Sequence, residues 1–556
     1  VDSESDLQAG IHGRIVVFGV ASIFAFLYSV GIDDVESIID KSRVKLSIIY
    51  MVSRKTPRRL IRSGDKRKKR TTRKASKRSS RHISKAESER SVDSDRFTGE
   101  NRRETGEIVQ ADQHGWKVIH IYGNAYDRGF AHGHLLRHEM KQVADKLYFM
   151  VTVILNMSYT AYMKYCQRHI TPIVQYEYPE LYEELRGICD GCGGILTLPQ
   201  LIAWNAWLSM YTVDLPPPPT TRVAASRNRR KKRPKPAVQR CSAFIATGNA
   251  TRAGAGIVMA HNTHSDMVSA TLFNVIVYLT PQEGAGSGFV MQTCAGYIAS
   301  GADWFITSAG IIGCETTISD ANYALKFNRR DRHPYFCRIR RAMQYGSTLD
   351  DYAHGMITHS AGDYPCSWLF GNIHTGEIML CENGWKLNSV QRTFHGVFYG
   401  MNSAHDFALR NEETDDLSYT DTATSSGARN VRLDALLNHT YYGKIDVNIA
   451  KRILSDHYDV HVEKDHHPSS TTICNHYFMD PDTDSPHYPH SSIDGKVVDS
   501  RMAKDLAFWG RWGASCGLAF SAKDHVRKYP LYQSWAPYLV DLPTQPWTIL
   551  QKIESK

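Results

Sequence analysis

From residue 115 onward, apolar and polar positions fall into two recurring periods. Trp116-Lys-Val-Ile-His-Ile-Tyr122 alternates with a period of two and predicts a strand, ended by Gly123. Residues 127–150 and 178–210 repeat apolar positions every three or four residues and predict helices. Four consecutive prolines, Pro216 to Pro219, and the run Arg229-Arg-Lys-Lys-Arg233-Pro then rule out a continued helix or central strand. Residues 216–240 are therefore expected to form an exposed linker. Beyond Cys241 the pattern becomes short alternating runs between Gly and Asn turns. It predicts strands at 242–246, 256–260, 271–279, 310–316 and 368–372, with helices at 338–345 and 449–456. The expectation is a strand-rich core with flanking helices.

The chain before residue 115 has a different texture. Residues 15–32 are uncharged and mostly apolar, about the minimum length for crossing a bilayer as a helix. They are read as a membrane-targeting segment, either signal peptide or anchor, with a buried helix as the alternative. Residues 53–103 are poor in apolar side chains and crowded with Lys, Arg and Ser, so disorder is expected. A solvated tail is the first reading of this segment. The others are a patch for anionic membrane or nucleic acid, or a protease site at Lys66-Arg-Lys-Lys-Arg70. The resulting division is 1–110 for the N-terminal hydrophobic and basic region, 111–215 for a helical part, 216–240 for the linker and 241–556 for the core.

Charge sharpens this division. The 556 residues carry a formal net charge of +10, but 20 Lys/Arg against 6 Asp/Glu in residues 51–103 give +14 there. Residues 216–240 add +9, which leaves −13 for everything else. The body is acidic, so the basic balance does not mark it as a nucleic-acid binder, and nucleic acid is not expected as a partner. With 42% hydrophobic residues it has the material for a large core. Eleven cysteines in so long a chain do not make a disulfide scaffold. Sequons at Asn156, Asn249 and Asn438 permit a secretory-pathway location, lysosomal, extracellular or membrane-anchored.

The candidate chemistry centres on Cys241, which follows the linker and opens the strand-like run Cys-Ser-Ala-Phe-Ile-Ala. A thiol at the start of a strand, behind a cleavable segment, meets the requirements of an N-terminal nucleophile. Attack on the Arg240 carbonyl followed by hydrolysis would free an α-amine with a reference pKa of roughly 7.7–8.0, suited to act as the general base. The other reading of the position is a buried strand cysteine.

Several segments resemble one family in order. Gly123-Asn-Ala-Tyr126-Asp-Arg-Gly129-Phe-Ala-His-Gly133 resembles the G-x-x-Y-x-x-G-x-x-x-G signature of the isopenicillin-N acyltransferase and phospholipase B-like group. Leu185-Arg-Gly187-Ile-Cys-Asp-Gly191, Trp204-Asn-Ala-Trp207, Gly256-Ile-Val-Met-Ala-His261-Asn262-Thr263 and Gly310-Ile-Ile-Gly-Cys-Glu315 continue it. Gly400-Met-Asn402, Ser426-Gly-Ala-Arg429 and Ser491-Ser-Ile-Asp-Gly-Lys-Val-Val498 complete it, over roughly residues 115–535. The resemblance implies an α+β fold of the N-terminal-nucleophile hydrolase type, a four-layer αββα sandwich with two antiparallel sheets, and self-cleavage before Cys241. It also implies Cys241 as nucleophile, with His261 and Asn262 beside the thiol and amine. Asn402 would be an oxyanion donor and Arg429 would orient the amine or substrate. The implied substrate is a small-molecule amide or a lipid acyl group, with no cofactor and no metal. This chain departs from the pattern in having His264, with Asp266 two residues on, where the acyltransferases have Asp and the phospholipase B-like branch usually has an aromatic. It also has Arg240 rather than a small residue before the nucleophile.

Three further patterns are weighed and set aside. Gly513-Ala-Ser515-Cys-Gly517 matches a serine-hydrolase elbow but lies too near the chain end for a downstream acid and His. Cys189 and Cys192 form a lone CxxC in a glycine-rich turn. His457, His461, His466, His467, Cys474 and His476 make a His-rich stretch for which metal binding is the alternative; the irregular spacing favours a packed or solvated cluster. The rival from another class is a non-catalytic binding protein whose basic segment contacts anionic membrane or nucleic acid.

Overall fold

The computed structural model describes residues 105–211, 213, 215–218, 240–319, 332–415, 419–481, 483 and 485–552. Two units divide the chain, Val1–Val92 and Asp93–Lys556, and every described residue belongs to the second. The apolar segment 15–32, the basic segment 53–103 and most of the 216–240 linker therefore lie outside the described residues. Among the described residues, no helix is long and apolar enough to cross a membrane.

The first sheet has nine strands. They are β1 (Gly106–Gln113), β2 (Trp116–Gly123), β5 (Val275–Pro281), β6 (Phe289–Thr293), β7 (Trp304–Thr307), β8 (Ile311–Thr317), β9 (Cys366–Asn372), β10 (Glu377–Asn383) and β11 (Asn388–Thr393), adjacent in that order. The second sheet runs β12 (Gly396–Gly400), β3 (Arg240–Thr247), β4 (Val258–Asp266), β14 (Asp494–Asp499), β15 (Phe508–Trp512) and β16 (Thr548–Leu550), with β13 (His490–Ser492) also paired to β4. All pairings are antiparallel except β2 with β5, so the expectation of two purely antiparallel sheets is corrected at that seam. A parallel pair needs a long crossover, and the chain between residues 124 and 274 supplies it, with helices up to Met210 and then strands β3 and β4 of the second sheet. The described residues begin at 105, and β1 opens at Gly106, inside the segment 1–110.

Strand alternation explains the layers. On β9, Trp368 and Phe370 face outward and pack on Tyr335 of helix α5 (Tyr335–Tyr345) and Tyr352 of α6 (Leu349–Ile357). Gly371, of opposite parity, faces Ile245 of β3 and Ile257 just ahead of β4, close enough that a Cβ there would press on both. On the second sheet, Phe244, Ala246, Val258, Ala260 and Val497 form a core with Leu433, Leu436, Leu437, Ile453 and Leu454. Beyond α7 (Phe407–Glu413), Leu433 lies on α8 (Ser425–Asp434), and Ile453 and Leu454 lie on α9 (Val447–Leu454). The architecture is α+β, helices over two facing sheets.

The glycine signature near the N-terminus has a packing role. Helix α1 (Ala125–Leu135) crosses α3 (Pro179–Gly191), and α2 (Arg137–Phe149) and α4 (Leu198–Asn205) extend the same layer. A Cβ on Gly187 would lie 2.1 Å from the Tyr126 carbonyl, and one on Gly129 would lie 2.1 Å from that of Glu184. Glycine at these positions lets the two backbones touch. Beside the crossing, buried Arg128 pairs with Glu184 and Glu180, both at 2.8 Å, and Arg340 of α5 reaches Glu184 at 2.9 Å.

Candidate active site

Cys241 is the second residue of β3, fully buried, with the parity of Ala243 and Ile245. Its side chain therefore enters the space between the sheets. Its backbone is held on both sides. The Cys241 N–H donates to Asn402 Oδ1 at 2.9 Å, and the Cys241 carbonyl accepts from Arg429 Nη1 at 2.6 Å. Both partners come from neighbouring elements for local reasons. Strand β12 pairs with β3, Gly400 opposite Ala243, so the chain just beyond it runs beside Cys241. Asn402 turns there in the left-handed region at φ 74°, which asparagine tolerates better than most residues. Arg429, buried on α8, spreads its fork over the Cys241 carbonyl, the Ser425 carbonyl at 3.0 Å and Asn402 Oδ1 at 2.9 Å.

Around the thiol, Cys241 Sγ, a ring nitrogen of His261 and a carboxylate oxygen of Asp303 lie within 4.8 Å of one another. His261 Nε2 meets the Glu315 carbonyl at 2.8 Å. A carbonyl only accepts, so Nε2 carries the proton and Nδ1, which has no hydrogen-bond partner, keeps its lone pair. Burial, then Lys496, hold the imidazole well below its usual pKa, so it is neutral. Burial, then Asp303 and Glu315, push the Cys241 thiol well above its ordinary value. In the intact chain the thiol is sealed and protonated.

Asp303 and Glu315 face each other in the interior, and Asp303 Oδ2 and Glu315 Oε1 have no other partner. Burial raises the pKa of both carboxyls, and for Glu315 the Asp303 charge adds to it, so the pair retains a proton. The nearby cation is Lys496, buried at 3.0 Å from Asp494 and donating to Thr263 Oγ1 at 2.7 Å.

The structure brings four of the five expected residues to one place: Cys241, His261, Asn402 and Arg429. Asn262 is not with them. With His261 pointing between the sheets, strand alternation turns Asn262 to the outer face, where it donates to the Leu454 carbonyl at 2.7 Å and accepts from Ser515 Oγ. Asn402 Nδ2 donates one hydrogen to the Thr317 carbonyl at 2.8 Å, and its oxygen accepts from the Cys241 N–H and Arg429, so in the intact chain it also holds the backbone of the nucleophile. His264 is buried and neutral, its pKa lowered by burial and then by Arg429. Asp266 caps the following turn through Val268 N and Ser269 N. The acid that reaches the thiol is Asp303, which sequence reasoning missed. Its one signal was an isolated carboxylate entering the apolar strand Trp304–Thr307.

Ser515 of the elbow-like motif is buried and bonded to Asn262, an arrangement without a triad. A cleft of about 380 Å³ lined by Asn124, Tyr126, Arg128, Glu180 and Tyr345, among others, shares no residue with the Cys241 site and holds no Cys, Ser or His.

No family model matches the chain. Protein dcd1A of Dictyostelium discoideum is 28% identical over 93 residues, 14% of this chain and 21% of that protein, so the chain spans about a fifth of this relative's length. Among solved structures, penicillin V acylase from Agrobacterium tumefaciens aligns over 49% of this chain and 83% of its own, at 11% identity and a TM-score of 0.29. A likeness of that degree carries no argument about this chain. The class that fold and site define is an α+β sandwich with a buried cysteine anchored at the head of a central strand.

Proposed function

We propose that the chain is a cysteine N-terminal-nucleophile hydrolase or acyltransferase acting on an amide or ester through a thioester on Cys241. The observation that carries this reading is the anchoring of Cys241. Its N–H and C=O are each held by a buried side chain, and its thiol sits beside His261 and Asp303. Every buried N–H and C=O needs a partner; here both partners are side chains from separate elements, and they converge on the residue whose thiol meets His261 and Asp303.

In the first reaction, Cys241 Sγ attacks the Arg240 carbonyl carbon and the Arg240–Cys241 amide bond breaks. The thiol proton goes to the departing nitrogen, and His261 Nδ1 is the neutral lone pair available to relay it. Water then hydrolyses the thioester, leaving a carboxylate on Arg240 and an amine on Cys241. Asn402 Oδ1, which holds the Cys241 nitrogen before cleavage, continues to hold it as an amine and fixes its lone pair relative to the thiol. With a reference pKa of roughly 7.7–8.0, that amine takes the thiol proton near neutral pH. The thiolate attacks the substrate acyl carbon, and the ammonium returns the proton to the leaving amine or alkoxide. Water or an acceptor amine then releases the acyl group from sulfur.

The phospholipase B-like resemblance makes a lipid acyl chain one substrate to test. Incubating cleaved protein with a panel of short- and long-chain acyl amides and esters, then quenching in acid, is expected to show a single acyl mass adduct on the Cys241 peptide, removable by hydroxylamine. Turnover without that adduct, or an adduct on another residue, would overturn the assignment.

A further inference from the structure

His457, Cys474, His476 and Cys516 come together from three separate loops, one ligating atom of each lying within 4.8 Å of the others. His457 follows α9, Cys474 and His476 lie on the approach to β13, and Cys516 lies in the turn after β15. His476 Nε2 is 3.5 Å from Cys474 Sγ, 3.4 Å from Cys516 Sγ and 3.1 Å from His457 Nε2.

Hydrogen bonding alone does not account for this convergence. Ser491 Oγ donates to the Asn475 carbonyl at 2.9 Å and so accepts from His476 Nδ1 at 3.0 Å. Nδ1 therefore carries the proton, and Nε2 presents one lone pair to the cluster. One lone pair accepts one hydrogen, but three atoms able to donate, the two thiol sulfurs and His457 Nε2, lie 3.1–3.5 Å from it. A cation at the centre satisfies all four atoms at once. Tetrahedral zinc, with Zn–N roughly 2.0–2.1 Å and Zn–S about 2.3 Å, separates its ligands by about 3.3–3.4 Å for N to N and about 3.5–3.6 Å for N to S. The observed spacings lie close to those values.

We propose that these four residues form a structural zinc site of the Cys2His2 type. Two thiolates and two imidazoles in a tetrahedral set select zinc over oxygen-seeking cations, and four protein ligands leave no open position for catalysis. The surroundings match an outer shell. The Ser491 contact fixes the His476 tautomer, and the Leu518 N–H donates to Cys516 Sγ at 3.2 Å. The site also has a job. Ile473, next to Cys474, accepts from Ser242 Oγ at 3.1 Å, so the stapled loop lies against the strand that carries the nucleophile.

The test uses the full chain without a polyhistidine tag, purified without chelator from zinc-supplemented medium. Elemental analysis is expected to find one zinc per chain, retained in Cys241→Ala and Cys189→Ser and lost in Cys474→Ser/Cys516→Ser. On the unmodified chain, exchange for cobalt is expected to give the intense visible absorption of a tetrahedral thiolate site, and chelator is expected to lower the melting temperature until zinc is restored. The cobalt spectrum keeps the test independent of whether the variants fold. Metal-free protein indifferent to zinc, a Cys474–Cys516 disulfide, a six-coordinate cobalt spectrum, or zinc retained by the double variant would each overturn the proposal.

Discussion

Asn402→Ala is the most informative single perturbation of the nucleophile's anchor. Asn402 is 1% exposed and its two ends make three buried hydrogen bonds, to the Cys241 N–H, Arg429 and the Thr317 carbonyl. Leaving the Cys241 N–H unpaired costs about 1–3 kcal/mol, and the charge-assisted bond from Arg429 is worth a further ~1.5–3 kcal/mol. Alanine at the φ of 74° adds roughly 1–2 kcal/mol of left-handed strain. The sum, about 3.5–8 kcal/mol, is a large part of the ~5–15 kcal/mol that holds a typical domain folded. Asn402→Asp is the contrast: it keeps the oxygen that accepts from Cys241 and Arg429 and the tolerance of that φ, but sets a second acceptor oxygen against the Thr317 carbonyl. Thermal melting and the rate of chain cleavage at residue 241 are the assays. The alanine variant is expected to melt well below the parent and to cleave at least about tenfold more slowly, since a misplacement of about an ångström costs orders of magnitude in rate. The aspartate variant is expected to melt below the parent through the repulsion at Thr317, yet to cleave faster than the alanine variant, because Cys241 and Arg429 keep their acceptor. Equal melting and cleavage in parent and alanine variant, or equal damage from both substitutions, would refute the anchoring role.

Two other outcomes follow from the packing. His132 is buried and accepts from Gly296 N at 2.9 Å, and burial drops its pKa to about 4. Between the unfolded value of about 6.5 and about 4, the unfolded chain binds a proton that the folded chain does not, so stability falls as pH falls across that window, by up to about 3 kcal/mol. His132→Gln is expected to remove that part of the slope in urea titrations, and an unchanged slope would contradict it. At the helix crossing, Gly187→Ala is expected to lower the melting temperature at a cost of about 1–3 kcal/mol or more, because its Cβ would meet the Tyr126 carbonyl at 2.1 Å. Gly355→Ala on α6, whose Cβ would meet Ala342 Cβ at an ordinary 3.6 Å, is expected to be neutral or stabilising by ~0.5–1 kcal/mol.

Local periodicity carried much of the fold. The runs predicted at 242–246, 310–316 and 368–372 lie on β3, β8 and β9, because each has one face on a core and reads as alternation or as a short apolar run. The helix predicted over 178–210 is cut after Gly191 by the glycines at 193 and 194, both at positive φ, a break that three- and four-residue spacing does not register. The parallel β2–β5 seam joins segments some 150 residues apart, and no local pattern encodes such a pairing. At the site, Cys241 was legible from its place after the linker, and Asn402 and Arg429 came through the resemblance. Asn262 came through the resemblance as well, but strand parity turns it away from His261, toward Leu454 and Ser515. Asp303 and the Cys516 partner of the histidine-rich stretch were hidden, because their meaning depends on which loops meet. Cys516 sat inside a motif that suggested a different nucleophile altogether.

The most direct measurement is intact mass and N-terminal sequencing of the purified full chain, incubated with protease inhibitors at neutral and at mildly acid pH. Self-cleavage predicts a fragment beginning at Cys241 that accumulates at a rate independent of protein concentration, and its absence in Cys241→Ala. A parent chain that stays intact at both pH values, or a Cys241→Ala variant cut at the same bond, would contradict Cys241 as an N-terminal nucleophile that frees itself.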